Sequence, residues 1–318
     1  MKKFGIVSLA LALALCLAAG CSAAPAANPS GEATQPSATA TPAPSAGVGS
    51  TVTDVVGNVI DLPSNVTKVV SLVPSVTEIL YELGAEGMLV GVDAYSDYPE
   101  AATSLPQVGD FAGINAEAIV ALEPDVVFCS HTLQKETVEQ LQALGLTVIS
   151  AEARTYEEVP QTVTLIGQVV GKPAEAEALN ADMAAQEQAV TDKLAGVDKP
   201  TVYYVMSFGE YGNWSAGPGS FLYTLMEMAQ SAPVTSGSPV AWPEYNLEQL
   251  LQDDPDVLLV DSVLSLDDLK AAEGYKDLRA VQEGRVYAVD ANLISRPGPR
   301  LMQGFEQIAR ALHPDCFE

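Results

Sequence analysis

The chain contains an internal repeat, and this repeat constrains the fold more than any other sequence feature. Its two copies are FAGINAEAIVALEPDVVF, residues 111–128, and WPEYNLEQLLQDDPDVLLV, residues 242–260. Without a gap, each copy has an aromatic residue, an Asn, a Glu, an apolar pair and then Pro-Asp-Val before an apolar run. The repeat predicts that one helix and strand unit is built twice.

The Asn of each copy is well placed to cap a helix, and the Glu falls in the first turn of that helix. A carboxylate at this position is stabilised by the helix dipole, by roughly 0.3 to 1 kcal/mol. This local role explains Glu117 or Glu248 taken singly. As a matched pair, the two also place like charges at corresponding ends of one surface.

Short apolar runs alternate with amphipathic stretches on both sides of the repeat. A hairpin, TVTDVVGNVIDL, is predicted first, with its turn at Gly57-Asn58. Predicted strands in two series are KVVSLV, MLVGV, DVVFC and LTVIS, then TVYYVM, DVLLV and RVYAV. Predicted helices are SVTEILYELG, NAEAIVALEP, residues 134–144, SFLYTLMEMA, NLEQLLQD and residues 299–313. This order predicts an α/β fold of two Rossmann-like lobes with parallel sheets.

One long helix is predicted between the two series. PAEAEALNADMAAQEQAVTDKL, residues 173–194, is rich in Ala, Glu and Gln and begins with Pro. Its length would be roughly 33 Å at the usual rise, long enough to join two lobes. A helix of this length can equally pack within one domain. We take it as the link between two lobes and divide the folded part into an N-terminal lobe (51–172), an interlobe helix (173–195) and a C-terminal lobe (196–318).

The N-terminus has the pattern of an exported protein. Residues 1–20 begin with two Lys, continue through an apolar run and end in small residues, as a signal peptide does. LAAGC resembles a bacterial lipobox that would lipidate Cys21, although Ala18 stands where Leu is usual. The remainder of residues 21–50 is rich in Ala, Pro, Ser, Thr and Gly, and is predicted to be a disordered tether. We expect a lipid-anchored protein on the extracytoplasmic side of the cell membrane.

Charge and cysteine content exclude several classes of protein. The formal net charge is −26, with 41 acidic against 15 basic residues, which makes nucleic acid an unsuitable partner. Of four Cys, only Cys129 and Cys316 belong to the predicted lobes, so at most one bridge could form there. The spacing of the cysteines matches no zinc motif.

A long polar segment, VDAYSDYPEAATSLPQVGDF at 92–111, carries three aromatic residues: Tyr95, Tyr98 and Phe111. The segment is too polar for a core, so these rings need another explanation. Several segments carry a resemblance that supplies one: VVSLVPSVTEILYELGA, YSDYP, NAEAIVALEPDVV, WPEYNLEQLLQDDPDVLLV and RPGPRLMQGFEQIARAL. Across most of the chain, this set resembles the periplasmic binding proteins of cobalamin, ferric siderophore and haem ABC importers.

The resemblance implies two lobes bridged by one helix, with a ligand cleft between the lobes, and a Glu on each lobe that pairs with arginines of the membrane subunits. Glu117 and Glu248 match those positions. The cobalamin-binding member also has the YSDYP segment and lines its cleft with aromatic residues. The corresponding positions here are Tyr95, Phe111, Trp214 and Trp242. In a sheet of this kind, ligands bind beyond the carboxyl ends of the strands, where a macrocycle offers apolar faces to such rings.

The sequence departs from the cobalamin-binding member after its first Pro-Asp strand. A large aromatic of that member is replaced by Ser130, followed by His131. His131 is either a polar cleft residue or a ligand of iron or cobalt. Arg296 is the candidate to meet a carboxylate in the cleft, whereas Arg300 is expected to start the last helix and pair within the protein.

Other functions are poorly supported. GQVVGKP falls short of a P-loop, no Gly-x-Ser-x-Gly motif is present, and two His supply too few ligands for a zinc or manganese receptor. A surface hydrolase or an adhesin is the less favoured alternative. We predict a monomeric, non-enzymatic binding protein without a resident cofactor, which delivers cobalamin or a related corrinoid to an ABC importer. A ferric siderophore or haem is the alternative ligand.

Overall fold

A computed structural model of the chain describes residues 50–110, 113–133 and 135–318. The predicted signal peptide, the predicted lipidation site Cys21, nearly all of the predicted tether and the predicted cleft residue Phe111 lie outside these residues. Within them, none of the helices combines the length and the apolar character needed to cross a bilayer.

The N-terminal lobe, hereafter the N lobe, is built on a parallel sheet. Its strands are β1 Thr51–Thr53, β2 Val59–Asp61, β3 Val69–Ser71, β4 Leu89–Val92, β5 Gly109–Asp110, β6 Gly113–Ile114, β7 Val126–Cys129 and β8 Thr147–Ser150. Its helices are α1 Pro74–Glu82, α2 Ala116–Ala121, α3 Lys135–Ala143 and α4 Val159–Val169. The four-stranded sheet has the order β4-β3-β7-β8, with every pair parallel. Strands β3 and β7 are buried throughout, because helices cover both faces of the sheet.

The C-terminal lobe, hereafter the C lobe, repeats this plan. Its strands are β9 Thr201–Val205, β10 Ala232–Pro233, β11 Val257–Asp261 and β12 Val286–Val289. Its helices are α6 Phe221–Met228, α7 Leu247–Asp253, α8 Leu266–Ala271, α9 Arg279–Gln282, α10 Ala291–Ser295 and α11 Leu301–Leu312. The sheet order is β10-β9-β11-β12, again all parallel. When the four strands of each sheet are counted along the chain, both sheets have the order second, first, third, fourth, with β4 or β10 at one edge.

The interlobe helix α5 runs from Pro173 to Lys193. It packs against α4 of the N lobe and α11 of the C lobe. Ala176 near its start belongs to the apolar core of the N lobe, while Met183 and Val190 belong to that of the C lobe. One helix thus contributes to both cores, as the two-lobe prediction requires.

The internal repeat has a structural basis in both lobes. Asn115 Oδ1 accepts a hydrogen bond from Ala118 N at 3.0 Å, and Asn246 Oδ1 accepts one from Gln249 N at 3.1 Å. Both predicted N-caps are therefore confirmed. They fix where α2 and α7 begin, and so where Glu117 and Glu248 are displayed.

The Asp of each Pro-Asp-Val motif joins the first and third strands of its sheet. Asp125 accepts hydrogen bonds from the backbone N of Thr67 and Lys68 at 2.7 and 2.9 Å, just before β3. Asp256 accepts two from Thr201 at the start of β9, from N and Oγ1, both at 2.8 Å. The repeat therefore preserves strand pairing as well as helix capping.

Some local structure departs from the sequence prediction. The hairpin β1–β2 is present, but its turn is wider than Gly57-Asn58, because Asp54 folds it by accepting from Val56 N and Asn58 N. The polar segment 92–111, which carries the three aromatic residues, ends in a hairpin of two short strands, β5 and β6, that the sequence did not predict. Cys129 is buried in β7 and Cys316 is partly exposed, and both thiols are free.

Candidate functional site

A cavity of about 630 Å³ opens at the carboxyl ends of β3, β4 and β7. Leu72, Pro74, Asp93, Tyr95 and Ser130 are among its lining residues. The cavity lies where the strand order changes direction between β3 and its two neighbours, which is where open parallel sheets bind ligands. The N lobe thus has a cavity at the place where a binding site is expected.

Tyr95 is held at this cavity by the loop that follows β4. Asp93 Oδ2 accepts from Tyr95 N at 3.1 Å, and Asp93 Oδ1 accepts from Ser96 Oγ at 2.5 Å. Burial raises the pKa of the Asp93 carboxyl, although hydrogen bonds from Ser96 and Tyr95 and the charge of Arg296 act in the opposite direction. Tyr95 remains 38 % exposed in this loop.

Trp214 and Trp242 lie together on a ribbon in the C lobe. Loops 213–217 and 241–245 run antiparallel and are joined by Ser215 N to Pro243 O, 3.0 Å, and Gly217 N to Ala241 O, 2.8 Å. Gly217 is required for this approach, since a Cβ there would stand 2.5 Å from Val240 O. Both Trp side chains are partly exposed on the ribbon. The two predicted rings are therefore carried by paired segments of one ribbon.

Sequence reasoning missed Tyr211, which is 74 % exposed in the loop leading into the same ribbon. It lies between Gly209 and Gly212, both with positive φ, in the stretch GEYGNW. Two glycines flanking a lone aromatic next to Trp214 are the signal that could have identified this side chain.

Arg296 lies where the two lobes meet, but its charge is already paired. Its Nη1 lies 3.2 Å from Glu78 Oε1 and 2.7 Å from Asp97 Oδ1. Arg300 binds the same Glu78 through Nε at 2.9 Å and Nη2 at 2.5 Å, and its guanidinium stacks 3.8 Å from the Tyr98 ring centroid. The prediction that Arg300 pairs within the protein is confirmed, whereas Arg296 also turns out to be part of an internal cluster.

The Glu78 carboxylate at the centre of this cluster is almost completely buried, with 2 % of its side chain exposed. Beside it, Gly298 packs against Ser75 of α1, since a Cβ at Gly298 would lie 3.4 Å from Ser75. This contact and the ion pairs join the start of α1 to the segment between α10 and α11. We call Glu78, Asp97, Arg296 and Arg300 the interlobe cluster.

The structure does not bring His131 to the Tyr95 cavity. His131 lines a separate cavity of about 440 Å³ beside the β1–β2 hairpin, together with Asp54, Asn58 and Cys129. Its Nδ1 lies 3.5 Å from Glu152 Oε2, which also accepts from Ser130 Oγ. Among the described residues, no group of three or more His, Cys, Asp or Glu side chains could hold a metal ion. His131 thus lies beside the Tyr95 cavity, since Ser130 and Leu133 line both cavities, and its role in ligand binding stays a prediction.

Glu117 and Glu248 are both exposed at the starts of α2 and α7. Neither forms an ion pair with a residue that the structure describes. Glu117 lines a second open cavity, of about 640 Å³, which shares Gly109, Asp110 and Ile114 with the Tyr95 cavity. The carboxylate of Glu117 thus stands near the cleft while facing outward.

This geometry agrees with comparisons to known proteins. Residues 69–293 match a family model described as periplasmic binding protein. The chain belongs to this family. Its lobes, parallel sheets and interlobe helix are those of the two-lobed members, and the fold prediction is confirmed.

Three relatives illustrate the range of the family. The chain is 26 % identical, over the full length of both proteins, to an uncharacterized ABC transporter substrate-binding lipoprotein of Bacillus subtilis. It is 30 % identical to a cobalamin-binding protein of Halobacterium salinarum, covering 83 % of this chain and 74 % of that one. A periplasmic heme-binding protein from Roseiflexus sp. RS-1 superposes with a TM-score of 0.71 at 27 % identity, covering 79 % of this chain and all of that one.

Proposed function

We propose that this protein is the extracytoplasmic substrate-binding lipoprotein of an ABC importer and that it captures a corrinoid between its lobes. The observation that carries the proposal is the presence of exposed aromatic side chains in both lobes: Tyr95 at the cavity beyond the N-lobe strands, and Trp214 and Trp242 on the C lobe. Flat apolar rings on two lobes suit a large macrocycle better than a small polar solute.

The similarity to a cobalamin-binding protein at 30 % identity supports this choice of ligand. Haem is the second candidate, since a haem-binding protein is similar in structure at 27 % identity. Haem is an anion through its propionates, however, and no Lys or Arg among the described residues lines the Tyr95 cavity or the cavity beside Glu117. The relatives are binding proteins of transport systems, which supports a role without catalysis.

Delivery to the membrane subunits would use Glu117 and Glu248. Both are exposed, both sit in the first turn of a capped helix, and the two helices occupy equivalent places in lobes of identical strand order. A pair of matching carboxylates suits two symmetric subunits with complementary arginines. We further propose that Cys21 carries the lipid and residues 22–50 the tether, in keeping with the lipoprotein name of the Bacillus subtilis relative.

The proposal is tested by titrating the detergent-solubilised full-length protein with cyanocobalamin, haemin and ferric citrate in a calorimeter. We expect cyanocobalamin to bind most tightly. Trp242→Ala and Tyr95→Ala should each weaken its binding by about threefold to tenfold, because ring stacking is worth roughly 0.5 to 1.5 kcal/mol beyond buried area.

Leu144→Ala serves as the control, since Leu144 is 51 % exposed at the end of α3 and should leave affinity unchanged. If cyanocobalamin does not bind while haemin or ferric citrate does, the corrinoid assignment is wrong. If the two aromatic variants lose thermal stability but the folded protein keeps its affinity, the rings belong to the core rather than to the site.

A further inference from the structure

The interlobe cluster balances its own charge. It contains two arginines and two carboxylates, all joined by contacts of 3.2 Å or less. Arg296 and Arg300 expose only 11 % and 13 % of their side chains, and Glu78 only 2 %. Asp97 differs, because 56 % of its side chain is exposed. The only member of the cluster that solvent reaches freely is therefore a carboxylate.

Asp97 occupies the solvent-facing side of Arg296, while Glu78 holds the buried side. The Asp97 contact, at 2.7 Å, is the shorter of the two that Arg296 Nη1 makes. A hydrogen bond from Arg296 also lowers the pKa of the Asp97 carboxyl, so Asp97 remains an anion at any physiological pH. A carboxylate from solution would have to displace Asp97 to reach this guanidinium.

The pairing of Asp97 with Arg296 bears on ligand binding because Asp97 belongs to the loop that carries Tyr95. Its backbone N donates to the backbone O of Tyr95, a residue that lines the cavity, at 3.0 Å. No arginine or lysine of the described chain, Arg296 included, lines the cavity itself. Arg296 is therefore a cation that an anionic ligand would meet beside the cavity, and the protein has already paired it with Asp97.

We propose that Asp97 is a specificity-determining residue, which occupies Arg296 in place of a ligand carboxylate and so restricts the cleft to metal chelates without net negative charge. This inference rests on the proposed function, since it concerns ligands of the same cleft. Chelates that carry free carboxylates, such as haem with its two propionates, are excluded by repulsion from Asp97 as well as by loss of the arginine.

The test removes Asp97 and compares two ligands that differ only in their carboxylates. The full-length protein, Asp97→Ala and Asp97→Asn are titrated with haemin and with haemin dimethyl ester, in which both propionates are neutral. We expect Asp97→Ala to raise haemin affinity on the order of tenfold, as for one freed charge-assisted contact, and to leave affinity for the ester unchanged. Asp97→Asn should give a smaller gain, because its amide oxygen can still occupy Arg296.

Glu100→Ala is the matched control. Glu100 is exposed in the same loop and forms no ion pair with a described residue, so its removal changes the net charge equally without freeing Arg296. An equal haemin gain in Glu100→Ala, an equal gain for the ester, or no gain in Asp97→Ala overturns the inference. Thermal unfolding of each variant confirms that the folded protein is being compared.

Cyanocobalamin separates this inference from the proposed function. We expect its affinity to stay within about threefold in Asp97→Ala, since a corrinoid without free carboxylates gains nothing from Arg296. If the unaltered protein fails to bind cyanocobalamin, the corrinoid assignment fails. The comparison of haemin with its ester still decides the role of Asp97 in that case.

Discussion

At the scale of single residues, the two aspartates of the repeat show how one side chain can order a sheet. Asp256 accepts from Thr201 at the start of β9 and binds Arg279 Nη2 at 2.7 Å. Burial alone would raise its pKa, but the hydrogen bonds from Arg279 and Thr201 prevail and lower the pKa to about 2. The ionised carboxylate is therefore the form that stabilises the fold.

The first prediction concerns the pH dependence of this contribution. A carboxyl whose pKa is lowered by folding stabilises the protein above its unfolded pKa of about 3.9 and loses that contribution as the pH falls. Asp256→Asn should lower the free energy of unfolding by about 1 to 2 kcal/mol at pH 7, and the difference should disappear as the pH approaches about 2.

Urea unfolding across this pH range measures the effect, and Asp198→Asn is the control. Asp198 is exposed, and no hydrogen bond or ion pair to a described residue is recorded for its side chain. A constant difference between Asp256→Asn and the unaltered protein at all pH values would contradict the assigned role.

Side chains were predictable where their partners are close in sequence. Asn115 and Asn246 were identified as caps because a cap bonds to a backbone N three residues away. The pairing of Arg296 could not be predicted, because Glu78 lies 218 residues earlier and nothing in the local pattern of α1 marks a buried acid. The contacts of His131 with Glu152 and the β1–β2 hairpin were not predicted, because a position after a strand does not reveal which neighbouring loop surrounds it.

At the scale of elements, α4 is a helix that the sequence did not predict. Its apolar side chains are buried while the residues at 160, 161, 164 and 168 are exposed, and its sequence VPQTVTLIGQV is rich in β-branched residues and contains a Gly, all of which disfavour a helix in isolation. It forms because its residues contribute to the apolar core of the N lobe and because α5 packs closely on it.

The second prediction follows from the closeness of α4 and α5. A Cβ at Gly167 would lie 2.5 Å from Ala176 Cβ and 2.9 Å from Lys172 O, so one of the two helices would have to move. Helix propensity alone predicts that Gly→Ala stabilises a helix by up to about 1 kcal/mol. We expect the reverse for Gly167→Ala, a loss of about 1 to 3 kcal/mol through overpacking.

Gly87→Ala provides the comparison, because nothing lies within 4 Å of a Cβ at that position. Its effect on urea unfolding should stay within about 0.5 kcal/mol. Stabilisation by Gly167→Ala would show that the space between α4 and α5 is wider than the structure gives.

At the scale of the whole molecule, the lobes are joined by α5 and by the interlobe cluster. The third prediction concerns Glu78→Ala, which leaves two largely buried guanidinium groups without their shared carboxylate. Breaking a buried ion pair in this way costs about 3 to 5 kcal/mol of unfolding free energy. Glu123→Ala, which breaks the exposed pair with Lys68 at 3.4 Å, should cost 1 kcal/mol or less, roughly the value of a surface pair.

Chemical denaturation of both variants is the measurement. Equal and small losses would mean that solvent reaches Glu78 and compensates the arginines. A large loss in Glu78→Ala, together with a single unfolding transition, indicates that the two lobes unfold as one unit.

The fourth prediction tests docking to the importer. Glu117→Lys or Glu248→Lys should reduce cobalamin uptake by cells, and the double variant should reduce it further, because each reversal places like charges at the interface. Ligand affinity should be unchanged, since both carboxylates face outward from the helix starts. If the two Glu only stabilise their helices, each variant loses about 1 kcal/mol or less and transport is normal.

The fold as a whole was predictable because the repeat, the alternation of strands and helices and the long linking helix are all local patterns. The contacts between the lobes were not, since they join distant segments. The division into lobes at residues 172 and 195 remains an interpretation of the same patterns.

The pairing of Glu78 with Arg296 and Arg300 has a consequence for the order of events during synthesis. The carboxylate is made 218 residues before its first partner, which at usual rates of translation is a delay of roughly ten to forty seconds. Throughout that interval α1 carries an acid that cannot be buried without cost. We therefore expect a nascent chain to complete its N lobe only when its C-terminal segment has been made. Truncation before Arg296 is expected to destabilise α1 first, although α1 lies near the other end of the folded chain.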